Sequence, residues 1–367
     1  MIKDHCFSYE WIDQFKKQKN RRQIDPIILQ KMIYALHLLE QLQINNLEFV
    51  FKGGTSLVLL LDTGSRFSID IDIICKTERN ELERILDMTV KSSQFTKWEL
   101  DEHRSYQEGI PKAHYRFHFD AANHGSGAIL LDVLIEDCIY PETIQRPVTT
   151  RWIDNDDPTL VIVPSIDSIT GDKLTAFAPN TIGIPYFKGT DNQSFSMEIC
   201  KQLFDLSKLF ENIENVEEVM ASFEKFALRE IGYRENGTSN QEMTPDEVLQ
   251  DTINTCVIIS KRGGGNSNEK LKFAELQKGI RSFGNAFLME GHFRLEDAIA
   301  ASARIAYLAA KIRYKEIEPI AFYEGQDIKD LIVENISWNF LNKLKKLPDK
   351  SAFYYWYQAT IIFDRNG

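Results

Sequence analysis

The chain has 367 residues, 43% hydrophobic and 26% charged, with a formal net charge of −11 at pH 7. That length and balance predict a soluble, globular protein of two domains with a sizeable core. The acidic excess argues against a general nucleic-acid binder, whose surface is ordinarily basic, but leaves room for a local basic patch and fits a partner with a basic face. No apolar run reaches the roughly eighteen residues of a membrane span, and the opening MIKDHCFSYEW has no signal-peptide core. Cys6, Cys75, Cys138, Cys200 and Cys256 are scattered, odd in number and without CxxC spacing, which points to a reducing cytoplasm and away from structural zinc.

In chain order, residues 1–22 are amphipathic and end in Lys16, Lys17, Lys19, Arg21 and Arg22. That cluster reads either as a solvated helix end or as an arm for RNA phosphates. Asp25 as N-cap and Pro26 in the first turn predict a helix to about Gln43, with Ile27, Ile28, Met32, Leu36 and Leu39 on one stripe. Leu47–Phe51 is a short strand leading through Lys52 into Gly53-Gly54-Thr55-Ser56, and a helix is expected over Ser56–Leu61. Glycines let backbone N–H groups approach a phosphate closely, and a helix N-terminus presents its positive end to the same anion.

The segment Ser68-Ile-Asp-Ile-Asp-Ile73 alternates with the period of a strand, so Ser68, Asp70 and Asp72 share one face. Two carboxylates about 7 Å apart at Cα repel, and a divalent metal is the simplest reason to place them so. A lone glycine pair is ordinarily a turn and a lone Asp-x-Asp a solvated face; strand, glycine turn, helix and acidic strand together describe an apparatus for displacement at phosphorus. Thr77–Lys91 is expected to be helical, and Ala113–Phe119 and Ala128–Glu136 to be strands joined by a hairpin at His124-Gly-Ser-Gly127. Asp132 interrupts the second, nearly continuous apolar strand, where an unpaired carboxylate is costly to bury. It becomes a third metal-facing acid if its strand lies beside the Asp70–Asp72 strand, or a surface acid if it lies on an edge; Asp137 is a weaker competitor.

The pattern formed by Gly53, Gly54, Thr55, Ser56, Leu57, Arg66, Ser68, Asp70 and Asp72 resembles the AbiEii/AbiGii-type abortive-infection toxins. These belong to the polymerase-β-like nucleotidyltransferase superfamily and act in toxin–antitoxin systems. The resemblance covers roughly Asn46 to Leu209. It implies an α+β fold: a polymerase-β-like nucleotidyltransferase core with a mixed sheet at 1–163, and an all-helical C-terminal domain at 164–367 that contributes Lys173 and Asp205 to the site. It implies Mg2+ (or Mn2+) on Asp70, Asp72 and Asp132, and an NTP substrate. The triphosphate would lie in a cradle of Gly53, Gly54, Thr55 and Ser56, with Lys52, Arg66, Ser68 and Lys173 around it. Asp205 would position Lys173 or help activate the acceptor hydroxyl. Relatives often have Asp where this chain has Gln202, which would be dispensable there or a hydrogen-bond donor. The implied acceptor is the 3′ end of tRNA, and the implied partner a cognate antitoxin, with no membrane involved.

Leu160–Val163 is a further strand candidate, and Ser165 as N-cap opens a helix over Ile166–Ala178 that carries Lys173. Pro179–Ser196 is long enough for a lid, in which Tyr186, Phe187 and Lys188 would meet a base and its phosphates. Helices are expected at Met197–Phe210, Val216–Ile231, Pro245–Ser260 (with a capping box from Thr244 to Glu247), Glu269–Leu288, Leu295–Tyr314, Ile328–Leu347 and Phe353–Phe363. Lys343, Lys345, Lys346 and Lys350 form a second basic patch, and Phe353-Tyr-Tyr-Trp-Tyr357 reads as base-stacking or, better, as packing of the terminal helix. Two rivals to tRNA modification stand: nucleotide transfer to a protein hydroxyl, as in AMPylation, and a nucleotide-binding regulatory module without turnover.

Overall fold

A computed structural model describes residues 1–15, 25–61, 66–105, 111–122, 125–189, 191–235, 243–289 and 291–366. The basic cluster at 16–22 lies outside them, as does His124 of the expected hairpin loop. The chain divides into two compact units, Met1–Ser165 with Met289–Gly291, and Ile166–Leu288 with His292–Gly367.

The first unit is built on a seven-stranded mixed sheet. Its strands are β1 (Val50–Lys52), β2 (Ile71–Cys75), β3 (Phe95–Leu100), β4 (Lys112–Asp120), β5 (Ser126–Ile135), β6 (Thr143–Pro147) and β7 (Leu160–Pro164), in the order β3-β4-β5-β2-β1-β7-β6. β2 pairs parallel with β5 and antiparallel with β1, and β1 pairs parallel with β7. Two strands were not expected from sequence. A register shift between Phe95 and Lys97 breaks the alternation of β3, and β6 (TIQRP) is a polar edge strand carrying a proline.

Alternation sorts the sheet into two faces. Ile71, Ile73, Tyr115, Phe117, Phe119, Leu131 and Val133 are all buried. Helices α2 (Pro26–Ile44) and α4 (Arg79–Lys91) cover that side, α2 reaching β5 and β7 and α4 reaching β3. α2 starts as its sequence requires, with Asp25 accepting from the Ile27 N–H at 2.8 Å and Pro26 in the first turn. It then buries nearly every residue from Leu29 to Leu42, Tyr34 stacking on Phe119 at 3.7 Å. The opposite face of β4 and β5 carries the half-buried Lys112, His114, Arg116, His118 and Asp132.

The second unit is helical apart from one small hairpin. It holds α6 (Ile166–Ala176), α7 (Ser196–Phe210), α8 (Val216–Glu235), α9 (Pro245–Ser260), α10 (Ser267–Ala286), α11 (Leu295–Arg313) and α12 (Ser351–Asn366). α11 lies at the centre against α7, α9 and α12, and its run of alanines from Ala298 to Ala310 is fully enclosed. Capping boxes open α9 (Thr244 with Glu247) and α10 (Asn266 with Glu269).

Two expectations are corrected in this unit, and a third, the packing of the terminal helix, is met. Pro179–Ser196 is not a plain loop: it carries β8 (Phe187–Lys188) paired with β9 (Gln193–Ser194), and Tyr186 is a buried member of the helical core, out of reach of a nucleotide. The helix expected over Ile328–Leu347 is an irregular segment followed by a 3-10 helix at Asn339–Lys346. There Asn342 accepts from the Val333 N–H and donates to its carbonyl, giving that backbone side-chain partners in place of helical ones. Phe353, Tyr354, Tyr355 and Trp356 are core residues rather than a base-stacking surface, with Trp356 Nε1 donating to Ser260 at 2.9 Å. Two lysines of the second basic patch donate to backbone carbonyls, Lys345 to Lys329 and Lys350 to Lys345 and Leu347. Among the described residues no helix is long and apolar enough to cross a membrane.

Asp167, in the first turn of α6, is buried and accepts from the backbone N–H groups of Glu214 and Asn215. Burial pushes its carboxyl from 3.8 up to about 6 despite those donors, with the charges of Glu218 and Glu214 adding to the rise. Because the folded value is the higher one, its stabilisation is complete below pH 3.8 and is lost as the pH rises through about 6. Asp167→Asn removes this titration. Between pH 4 and pH 7 the variant should gain about 2 kcal/mol on the parent, read as a changing gap between their urea unfolding curves.

Candidate active site

The glycine turn sits where β1 becomes a helix. α3 spans Gly53–Leu60, three residues earlier than the sequence suggested, so both glycines lie in its first turn. Gly53 has φ +76°, a left-handed conformation natural to glycine, and a Cβ there would collide with the Asp72 carboxylate. At Gly54 a Cβ would press on the Arg66 guanidinium and Ser68 Oγ. The missing side chains therefore let the start of α3 lie directly against Asp72, Arg66 and Ser68. The first-turn N–H groups of a helix have no intrahelical acceptor and can receive an anion. Thr55 and Ser56 are wholly buried and use their hydroxyls internally. Thr55 Oγ1 donates to the Asp70 carbonyl at 2.6 Å and Ser56 Oγ to the Gly53 carbonyl at 2.9 Å. These bonds tie the helix start to the acidic segment and fix its shape. Arg66 is buried, with Nη1 donating to the Phe67 carbonyl, and Lys52 lies over the ring of Tyr140 at 5.9 Å.

Sheet register brings the acids together. Asp72 lies on β2 with Lys52 as its partner on β1 and Asp132 as its partner on β5, and Asp132 in turn pairs with His114 on β4. In-register neighbours point to the same face, so one row across four strands reads Lys52, Asp72, Asp132, His114. Asp70 stands exposed just before β2, which begins at Ile71 and not at Ser68. His114 Nδ1 lies 2.6 Å from Asp132 Oδ1, and Arg104 donates to Asp132 Oδ2 at 3.2 Å. Neither His114 nor Arg104 was singled out in the sequence. The available signal was the spacing of Lys112, His114, Arg116 and His118 on one face of a strand next to an acid-bearing apolar one. Among the described residues, no group of three or more His, Cys, Asp or Glu side chains is arranged to hold a metal ion.

In the helical unit, Lys173 on α6 and Asp205 on α7 form a buried ion pair at 2.9 Å, 6% and 1% exposed. Lys173 also donates to Gln202 Oε1 at 3.2 Å, so Gln202 serves as an acceptor and not as a donor. In the sheet unit, Asp72 and Asp132 stand side by side on one sheet face, beside a helix start held close by glycines.

The family model for the nucleotidyl transferase AbiEii toxin of type IV toxin–antitoxin systems matches residues 37–317, and this chain belongs to that family. Among solved structures, the chain is similar to one described as "putative nucleotidyltransferase from H. pylori", with a TM-score of 0.33 and 16% identity over 68% of this chain and 95% of that one. No curated protein matches.

Two outcomes are expected. Gly53→Ala places a methyl against Asp72 and forces a left-handed alanine, about 1–2 kcal/mol of backbone strain. Nucleotide affinity measured by calorimetry should fall at least about tenfold while the circular dichroism spectrum is kept. Lys173→Ala removes the ammonium paired with the buried Asp205 carboxylate and should cost about 3–5 kcal/mol in urea unfolding. Lys173→Met combined with Asp205→Leu should recover most of that loss.

Proposed function

We propose that this chain transfers a nucleotide from an NTP to the 3′ end of tRNA, acting in the cytoplasm as the toxin of a phage-defence toxin–antitoxin pair. The observation that carries the reading is the row Lys52–Asp72–Asp132 beside a helix start that glycine brings into contact with Asp72. The triphosphate lies at the first turn of α3, where unpaired N–H groups face its oxygens and Lys52 and Arg66 offset its charge. Thr55 and Ser56 act through the backbone they hold rather than through their buried hydroxyls. Ser68 stands against Gly54 on the same turn.

The donor chemistry of the acidic row suits Mg2+ (or Mn2+). Asp72 and Asp132 offer hard oxygens from neighbouring strands, and Asp70 stands one strand repeat before Asp72. A divalent cation held by these three acids would supply charge stabilisation at the phosphoryl oxygens. In the transfer, the acceptor hydroxyl oxygen bonds to the α-phosphorus and releases its proton to water as the bond to the bridging α–β oxygen breaks, and pyrophosphate leaves with that oxygen. In the helical unit, Asp205 and Gln202 orient the Lys173 ammonium.

The test is incubation of the purified chain with each α-labelled NTP and total tRNA, resolved on a gel. Label should enter tRNA and fall by roughly a hundredfold or more in Asp72→Asn. Label confined to protein bands would replace RNA with a protein hydroxyl as acceptor, and no label under any NTP would sink the transferase reading.

A further inference from the structure

Both oxygens of Asp132 are occupied by cationic or hydrogen-bonding groups, and the two holders differ in kind. His114 is a fixed one. Its ring is 13% exposed and meets Oδ1 at 2.6 Å. Its backbone is bonded at both ends, its N–H donating to Ser105 Oγ and its carbonyl accepting from the Asp101 N–H, each at 2.8 Å. Arg104 is a loose one. Its side chain is 43% exposed, it makes a single-point contact at 3.2 Å, and it sits on a one-turn helix, α5 (Glu102–Ser105), at the end of β3.

That turn is built to present Arg104. Ser105 Oγ and N–H both donate to the Asp101 carbonyl, closing the turn. Asp101 is itself anchored by Arg116 of β4 at 3.2 Å. The end of an edge strand is thus turned by the four residues of α5 to set a guanidinium on the acid that partners Asp72. Two adjacent carboxylates repel in the absence of a counter-ion, so a cation here lowers the cost of holding Asp132 beside Asp72. A half-exposed, monodentate pair is also weak enough to give way to a competing cation.

We propose that Arg104 is a displaceable counter-cation of the carboxylate row. It neutralises Asp132 before a divalent cation binds, competes with that cation for Oδ2, and on displacement is left beside the site for a phosphate of the substrate. His114 keeps Asp132 oriented through the exchange. The proposal rests on the reading of Asp72 and Asp132 as metal ligands.

The test is Mn2+ binding to the full chain without nucleotide, followed by the electron paramagnetic resonance signal of free Mn2+, for the parent, Arg104→Gln, Arg104→Lys and Asp132→Asn. Circular dichroism confirms that each is folded. Arg104→Gln should bind Mn2+ about three- to fivefold more tightly, the scale of a half-exposed ion pair. Arg104→Lys should stay close to the parent, and Asp132→Asn should bind at least about tenfold more weakly. A merely structural arginine would leave affinity unchanged or lower it when removed. So unchanged or weaker binding by Arg104→Gln, alongside weakened binding by Asp132→Asn, overturns the role of Arg104 and leaves the carboxylate reading intact. If Asp132→Asn binds as the parent does, both fall.

Discussion

The first unit depends on placing two carboxylates side by side in a sheet. Asp72 and Asp132 are register partners on parallel strands, where Cα atoms stand about 5 Å apart. Like charges at that spacing oppose pairing, yet β2 and β5 lie near the middle of the sheet and cannot part without breaking it. The neighbours resolve the conflict. Lys52 flanks Asp72 on one side, His114 flanks Asp132 on the other, and Arg104 reaches the second oxygen of Asp132 from a turn beyond the sheet edge. The buried face contributes as well, since Ile71, Ile73, Leu131 and Val133 hold the two strands in the register that the acids resist.

The same constraint explains the glycine turn. A side chain at residue 53 would occupy the space of the Asp72 carboxylate, so the sharp entry into α3 and the acidic row form one packing problem. Thr55 closes it from the other side by bonding the carbonyl of Asp70. Residues 53 to 72 are thereby coupled through contacts between the helix start and the strand entrance. The helical unit places charge differently. Lys173 and Asp205 are nearly sealed from water, each satisfying the other, with Gln202 as a second acceptor. Removing one partner of such a pair is expensive even where the pair adds little net stability.

Much of the fold was legible because its signals are local. Asp25 with Pro26, Thr244 with Glu247, the alternation of Ala113–Phe119 and the apolar run of the strand carrying Asp132 each depend on a few adjacent residues. What failed was either irregular or long-range. β3 is hidden by a bulge, the stretch before Asn339 by side-chain bonds from Asn342, and the burial of Tyr186 by helices distant in sequence. At the candidate site the motif from Gly53 to Asp72 could be read directly. That Asp132 stands opposite Asp72, and not on an edge, is a fact of register that no spacing along the chain contains. The place of His114 beside Asp132 follows from that register, and that of Arg104 from the turn after β3.

The overall charge of −11 takes on local meaning at this face. Arg116 on β4 and Arg104 on α5 are not a free basic surface. Arg116 is paired with Asp101, and His114 and Arg104 with Asp132. These pairs are of unequal strength: the half-exposed Arg104 is held less firmly on Asp132 than the nearly buried His114 ring. The sequence of strengths is set by backbone anchoring: His114 is fixed by both its N–H and its carbonyl, Arg104 only by the turn that carries it.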